Sequence, residues 1–499
     1  MGGSKDLVVR EIRIGILDNK KACVFYIDGI VDTNAVNNFV MESLMVEGHG
    51  VPCITPIDSD VGAYLKEYVL TAGAVKDDVT DFKLLFRSLL SGSAILLIDG
   101  YTAGFAIEMS GGKQRSISEP EAETVIRGPR EGFSESLRTN TALVRKKIRS
   151  PDLWLETSTI GTRTQTDVGI MYMKGIADEK IVEEVRARLG RIDIDGILES
   201  GYIEELIQDE VYTPFPTVYN SERPDAIAAE LLEGKVAIMV DGTPVVLVVP
   251  AVFVSFLHSV EDYYHRADIS TLIRILRTIG IAIGLFGPSL YVAITTFHRE
   301  MIPARLLVSL AAQREAVPFP AFIEALLMEV TFEILREAGI RMPRPIGSAM
   351  SIVGSVVLGT AAVEAGFVSA AMVIIVAITA LAAFLIPSND MTVPIRMLRF
   401  PFMFLAASFG LFGIILGVIG LALHLSSLRS FGVPYLSPLA PFNGSGQKDV
   451  IVRLPIWAML TRPRLISRRN LIRQRVHSPE YGRDKGEQGS EREELAHEK

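Results

Sequence analysis

Cysteine is nearly missing. Cys23 and Cys53 are the two in 499 residues, too few for a disulfide framework or a four-cysteine zinc site. Histidine is sparse as well, with seven scattered copies and no H-E-x-x-H pair to hold zinc. No G-x-x-x-x-G-K-[ST] phosphate loop occurs, which disfavours an ATP-driven pump; Gly444-Ser445-Gly446-Gln447-Lys448 is too short to serve as one. The opening residues, Met1-Gly2-Gly3-Ser4-Lys5-Asp6, have no apolar core of a secretory signal, and Asp6 stands where a myristoylation motif requires Ser or Thr. Basic charge is not in excess: 50 basic and 58 acidic residues give −8, the wrong sign for a general nucleic-acid binder. Serines in the apolar runs lack a histidine in register, so no enzyme, cofactor or metal centre is expected.

Apolar residues, by contrast, are abundant. They make up 49% of the chain and the mean hydropathy is +0.32, while 22% of residues are still charged. This mixture fits a soluble part followed by a membrane part, with the change near residue 270. A bilayer core of about 30 Å takes about 20 helical residues. Four runs qualify: 279–297, 346–363, 369–387 and 400–425, with Gly366 and Ser369 offering a turn between the middle two. Between the first and second runs, 303–340 is expected to lie on or dip into the bilayer; within it Phe322 to Gly339 is apolar yet charged, and Glu329, Glu333 and Glu337 recur every four residues on one helical face. Two readings compete there: a membrane-surface helix with a solvated acidic edge, or an acidic mouth for a cation path.

Topology follows from arginine. Positions 453, 462, 464, 468, 469, 473 and 475 are all arginine with no acid among them, which places the tail in the cytoplasm. The amino-terminal part, with no export signal, is expected on the same side, so the crossings are even in number, four or six. After residue 476 the tail reads as disordered.

The soluble half repeats itself. Phe25-Tyr26-Ile27-Asp28-Gly29-Ile30-Val31-Asp32 matches Met171-Tyr172-Met173-Lys174-Gly175-Ile176-Ala177-Asp178 at an offset of 146. Leu89-Leu90-Ser91-Gly92 through Asp99-Gly100 matches Leu231-Leu232-Glu233-Gly234 through Asp241-Gly242 at 142. Each unit reads as a strand (Ala22–Ile27), a helix (Asn34–Met45) and a strand pair around Asp-Gly, which tolerates the positive φ of a tight turn. The expected architecture is therefore multidomain: two tandem duplicated α/β soluble units, then an α-helical transmembrane bundle. The boundaries expected are 1–150, 151–270, 271–430 and a tail at 431–499. Asp28, Asp99 and Asp241 invite a carboxylate site, but turn formation explains them. His258, Glu261, Asp262 and His265 could share a helical face as a hard-metal site; a solvated, membrane-proximal face is the simpler reading.

In the second run Gly347, Ser351, Ser355 and Gly359 fall at strict four-residue spacing, with Gly354 and Thr360 beside them and Glu364 beyond. Small residues permit close helix packing, and hydroxyls can contact ions or water. That stripe, with Glu364, is the candidate pore lining or gate. One helix cannot enclose a water path, so this reading predicts a ring of copies. The last run carries Gly410, Gly413, Gly417 and Gly420 without hydroxyls and is expected to pack; the first carries Gly280, Gly284 and a loosening Pro288.

Longer motifs complete the reading. Gly128-Pro129-Arg130-Glu131-Gly132-Phe133, with Glu135, Leu137-Arg138-Thr139-Asn140-Thr141-Ala142-Leu143 and Arg145, resembles the signature of the GerA family of spore germination proteins. Val240-Asp241-Gly242-Thr243-Pro244, Glu261-Asp262-Tyr263-Tyr264, Pro343-Arg344-Pro345-Ile346-Gly347 and Ile395-Arg396-Met397-Leu398-Arg399-Phe400-Pro401 look like the same family. The resemblance runs from about residue 10 to 465. It implies the A subunit of a nutrient germinant receptor, or its close stage V sporulation AF-type relative, in the inner membrane of the spore. It further implies a ring, expected to be a pentamer, that passes monovalent cations. The partners implied are lipid, a transporter-like B subunit and a lipoprotein C subunit, or an equivalent small membrane protein. The alternative is a non-conducting scaffold that relays nutrient binding. Arg130 and Arg145 are expected to hold the inter-unit linker through carboxylates, and Arg344 to anchor the second span.

Overall fold

The computed structural model describes residues 1–473 apart from 2, 15–19, 46–74, 112–119, 121–122, 342–358, 445, 464 and 468–469. Two compact units emerge. One holds Met1–Asp209, Val218–Ala251 and the described residues from Leu460 onward; the other holds Glu210–Thr217 and Val252–Met459.

The first unit contains two five-stranded sheets. Strands β1 (Leu7–Ile14), β2 (Lys20–Ile27), β3 (Val75–Val79), β4 (Ser93–Ile98) and β5 (Gly104–Glu108) order as β1-β2-β4-β5-β3. Strands β6 (Leu153–Ile160), β7 (Thr166–Met173), β8 (Tyr219–Ser221), β9 (Val236–Val240) and β10 (Val246–Val249) order as β6-β7-β9-β10-β8, the same arrangement. Every pairing among them is antiparallel, so the helices lie on sheet faces and are not crossovers between parallel strands. The expected hairpins are present: Gly100 (φ +83°) and Gly242 (φ +98°) turn β4 into β5 and β9 into β10. Edge strands β3 and β8 were not legible, because Val75–Val79 contains charges and Tyr219–Ser221 is only three residues long. Alternation puts Ile14, Val24, Leu96 and Ile107 in a closed core. Each such buried aliphatic side chain contributes about 1.5–3 kcal/mol.

Helix α1 (Phe82–Leu90) packs on the first sheet, and α2 (Leu137–Lys147) joins the two sheets. On the second sheet lie α3 (Glu179–Gly190), α4 (Ser200–Ile207) and α5 (Pro224–Leu232).

The second unit is helical: α6 (Ala267–Thr296), α7 (Ala304–Glu315), α8 (Ala321–Arg341), α9 (Ala370–Ala383) and α10 (Asn389–Ser427). Among the described residues two helices, α6 and α10, are long and apolar enough to cross a membrane. The expected first run, 279–297, is the latter half of α6. The expected 369–387 holds a helix of 14 residues only, short of the length a crossing requires. Residues 346–358 of the second run lie outside the described residues. The turn at Gly366 (φ +70°) is present, and Ser369 caps α9 by accepting from Met372 N.

The run 400–425 is not one straight span. Gly410 adopts φ 62°, ψ −142° and breaks α10 in two. A Cβ at Gly413 would run into the Leu405 carbonyl oxygen, and one at Gly417 would lie 2.6 Å from the Phe402 ring. Leu405 opposite Gly413 and Phe402 opposite Gly417 is the spacing of two antiparallel segments hinged at Gly410. Gly413 and Gly417 therefore pack against the preceding half of their own helix, Gly410 against Phe297 and His298, and Gly420 against nothing within 4 Å.

Candidate functional site

Three ionised rows decide how the helical unit holds together. The first begins with a broken helix bond. Pro288 has no N–H, so the carbonyl of Gly284, four residues earlier, has no partner inside α6. Arg399 of α10 supplies one, donating from Nε at 2.8 Å. Its Nη1 meets Glu329 of α8, and both side chains are almost wholly buried. One turn further along α8, Glu333 accepts from Arg396 Nε at 2.9 Å. Such pairs need close geometry, because taking each ion out of water costs several kcal/mol.

A second group surrounds Glu324, whose side chain is 0% exposed. One oxygen accepts from Ser369 N at 2.6 Å and from Ser369 Oγ. The other lies 4.0 Å from Arg314 Nε.

The third group ties the residues ahead of α6 to Arg274 and Arg277 in its amino-terminal half. Asp262 accepts from Arg274 Nε at 3.1 Å and from Arg277 at 3.0 and 3.2 Å. Arg274 also donates to Asp449 at 2.7 Å, and Tyr263 Oη donates to the same carboxylate at 2.6 Å. Arg453 donates to the carbonyls of His265 and Tyr263 at 2.8 and 3.3 Å. Burial pushes the Asp262 carboxyl up, but the arginines outweigh it and hold it below the usual carboxylate range. His258 Nε2 donates to the Val450 carbonyl, 3.0 Å away, and burial, with Arg274 nearby, pushes its imidazole down to about 4.

These geometries correct several expectations. Glu329, Glu333 and Glu337 do not form a solvated edge: the first is buried on Arg399, the second half-buried on Arg396, and only Glu337 is exposed, 2.7 Å from Arg341. Asp262 belongs neither to a solvated face nor to a metal centre; it clamps arginines, while His265 reaches Glu261 at 3.2 Å. Among the described residues no group of three or more metal-binding side chains occurs. Of the pore candidates, Gly347, Ser351, Gly354 and Ser355 lie outside the described residues, as does Arg344. Gly359, Thr360 and Glu364 are on a helical turn at 359–364, with Thr360 and Glu364 exposed.

In the other unit the motif residues hold α2. Asp241 accepts from Leu137 N at 2.9 Å, capping the helix from the β9–β10 turn. Asp28 pairs with Arg138, so the turn after β2 grips the same helix from the other sheet. Asn140 closes on Ser134, donating to its carbonyl at 2.6 Å and accepting from its N–H at 2.8 Å. Arg145, fully buried, meets Asp6 and donates to Ser4 Oγ at 2.8 Å. Glu131 accepts from Lys147 at 2.8 Å, and Arg130 is exposed. The carboxylate pair expected of Arg145 is thus present, with an amino-terminal partner that no spacing in the sequence indicated.

A family model described as the Bacillus/Clostridium GerA spore germination protein matches residues 1–465. The chain belongs to the GerA family. The match starts at residue 1, ahead of the resemblance read from the motifs. This GerA chain is 52% identical to spore germination protein KA of Bacillus subtilis (strain 168), over 95% of the chain and 86% of the relative. It is 39% identical to spore germination protein B1 of the same organism, over 95% and 96%. The N-terminal domain of the A subunit of the Bacillus megaterium spore germinant receptor GerK3 has been solved; it is 42% identical, covers 50% of this chain and 91% of its own, and gives a TM-score of 0.40. The family model and both relatives are named as spore germination proteins.

The partners of the acidic helix were missed. Arg396 and Arg399 are basic residues bordering an otherwise apolar run, spaced three apart, facing Glu333 and Glu329 spaced four apart. An antiparallel helix pair matches those spacings, and that was the available signal.

Proposed function

We propose that this GerA chain is the membrane subunit of a spore germination receptor, and that copies assemble as a ring, a pentamer, through which monovalent cations leave during germination. In this reading two duplicated soluble units, spanning 1–150 and 151–270, precede a transmembrane bundle at 271–430 and a tail at 431–499. Matching strand order and matching turn glycines support the duplication. The protein crosses the inner membrane of the spore several times, with the soluble units and tail on the cytoplasmic side. Lipid, a transporter-like B subunit and a lipoprotein C subunit are its neighbours.

The observation that carries the reading is Glu364. Its carboxylate is exposed in a single chain, on a unit whose exposed surface includes Phe367, Leu381, Phe384, Phe404 and Phe412. A charge facing lipid costs about 2.5–3.5 kcal/mol or more, so this one is better placed facing water or a neighbouring copy. Gly347, Ser351, Gly354, Ser355, Gly359 and Thr360 would then line the path that leads to it. Ser355→Trp should block potassium release from germinating spores; unchanged release sinks the assignment.

The scaffold reading gains from one observation. Glu329 and Glu333 are paired with Arg399 and Arg396, which weighs against a place for them on a cation path. Cysteines placed along 347–359 separate the two: a wet stripe reacts with water-soluble thiol reagents, whereas a dry one resists them.

A further inference from the structure

Among the described residues strand β6 is an edge of its sheet, since it pairs there with β7 alone. Part of that edge is already covered. Lys5 N donates to the Leu155 carbonyl at 3.0 Å, and Leu155 N donates to Ser4 Oγ at 3.0 Å. Successive residues of an antiparallel ladder turn their N–H and C=O to alternate sides. With Leu155 facing outward, Thr157 and Thr159 face outward too, and neither has a backbone partner on that side among the described residues. Natural edges are blunted by lysine, proline or bulges. Thr157-Ser158-Thr159 has none of these.

Beside this free stretch opens a cavity of about 500 Å³, bounded by β6, the carboxyl-terminal half of α3 and residues 192–194. Ile160, Ile170, Leu189, Ile192 and Ile194 supply its apolar lining. At the rim, Glu156 is taken up by Arg186 and Tyr172, each at 2.7 Å. Asp193 is exposed and has no partner among the described residues.

We propose that this edge and cavity bind an extended basic segment of a partner protein, which adds a strand beyond β6. Its backbone would pair with Thr157 and Thr159, continuing the line that Ser4 and Lys5 begin at Leu155. An aliphatic side chain would enter the isoleucine-lined cavity, and a lysine or arginine would meet Asp193. Main-chain bonds supply affinity in such strand addition, and alternate side chains supply selectivity.

The test uses the full chain in lipid nanodiscs and fluorescence anisotropy of a labelled peptide of alternating lysine and valine. Saturable binding is expected, weakened about tenfold when glutamate replaces lysine. N-methylation at alternate residues, which removes the donors but keeps the side chains, should abolish it. Thr159→Pro should weaken binding about tenfold, since proline is tolerated where an edge N–H points outward. Asp193→Lys, at an exposed position, should do the same and decides the matter if the proline variant unfolds. Absence of saturable binding, equal affinity for the N-methylated peptide, or unchanged affinity in Asp193→Lys overturns the proposal.

Discussion

Arg399 completes a helix that Pro288 leaves open, by donating to the Gly284 carbonyl at 2.8 Å while its other end meets Glu329. One side chain thus ties α6, α8 and α10 together, and its charge is balanced where it lies. The pair is held by burial and geometry, so removing one partner should cost far more than removing both. Arg399→Leu is expected to destabilise the protein by about 3–5 kcal/mol, because Glu329 is left as an uncompensated buried charge. Combining it with Glu329→Leu should recover part of the loss. Thermal unfolding of the detergent-solubilised protein measures both; a double variant as unstable as Arg399→Leu would contradict the argument.

The hinge at Gly410 makes a contrast among glycines. Gly413→Ala places a methyl against the Leu405 carbonyl, whereas nothing lies within 4 Å of a Cβ at Gly420. The first substitution should lower the Tm, and Gly420→Ala should leave it unchanged or raise it, since alanine favours a helix over glycine by about 1 kcal/mol. Equal effects would mean that the two halves of α10 do not fold back on one another.

Glu123 gives the sheet-containing unit a pH dependence near neutrality. Burial pushes its carboxyl up to about 7, although Ser221 Oγ donates to it at 2.7 Å. The fold therefore binds this proton more tightly than the unfolded chain does. Its contribution is fully present below about 4.5 and is lost as pH rises toward 7, on the order of 3 kcal/mol in all. Glu123→Gln should flatten the stability profile over that window. A profile unchanged by the substitution would remove Glu123 as its source.

His258 acts with the opposite sign in the helical unit. Its imidazole is held neutral down to about 4, against about 6.5 when unfolded. The contribution is present above 6.5 and falls away as pH drops toward 4, because the unfolded chain takes up the proton first. His258→Gln keeps an N–H for the Val450 carbonyl and should remove this acid sensitivity. Hydrogen exchange at residues 447–453, followed between pH 7 and 4, reports it.

The Asp-Gly turns differ in what their carboxylates do. Asp241 caps α2 at Leu137 N, and Asp28 meets Arg138. Asp241→Ala should cost about 1 kcal/mol, the usual worth of an N-cap. Asp99→Ala, at the turn between β4 and β5, should cost less. Equal losses would leave the cap without energetic weight.

Periodicity and composition determined much by themselves. The Asp-Gly hairpins, the strand runs at Ala22–Ile27 and Val236–Val240, the turn at Gly366 and the shift to apolar helices near 270 follow from local rules acting over a few residues. The motifs also sufficed for the family. Only the tertiary structure decided what charge does here. Arg145 finds Asp6, Arg399 finds Glu329 and Gly284, and Asp262 finds Arg274 and Arg277. A buried ion must have a partner, but sequence separation does not say which partner. Likewise a glycine stripe permits close approach without naming the surface that approaches, and at Gly413 and Gly417 that surface is the preceding half of the same helix.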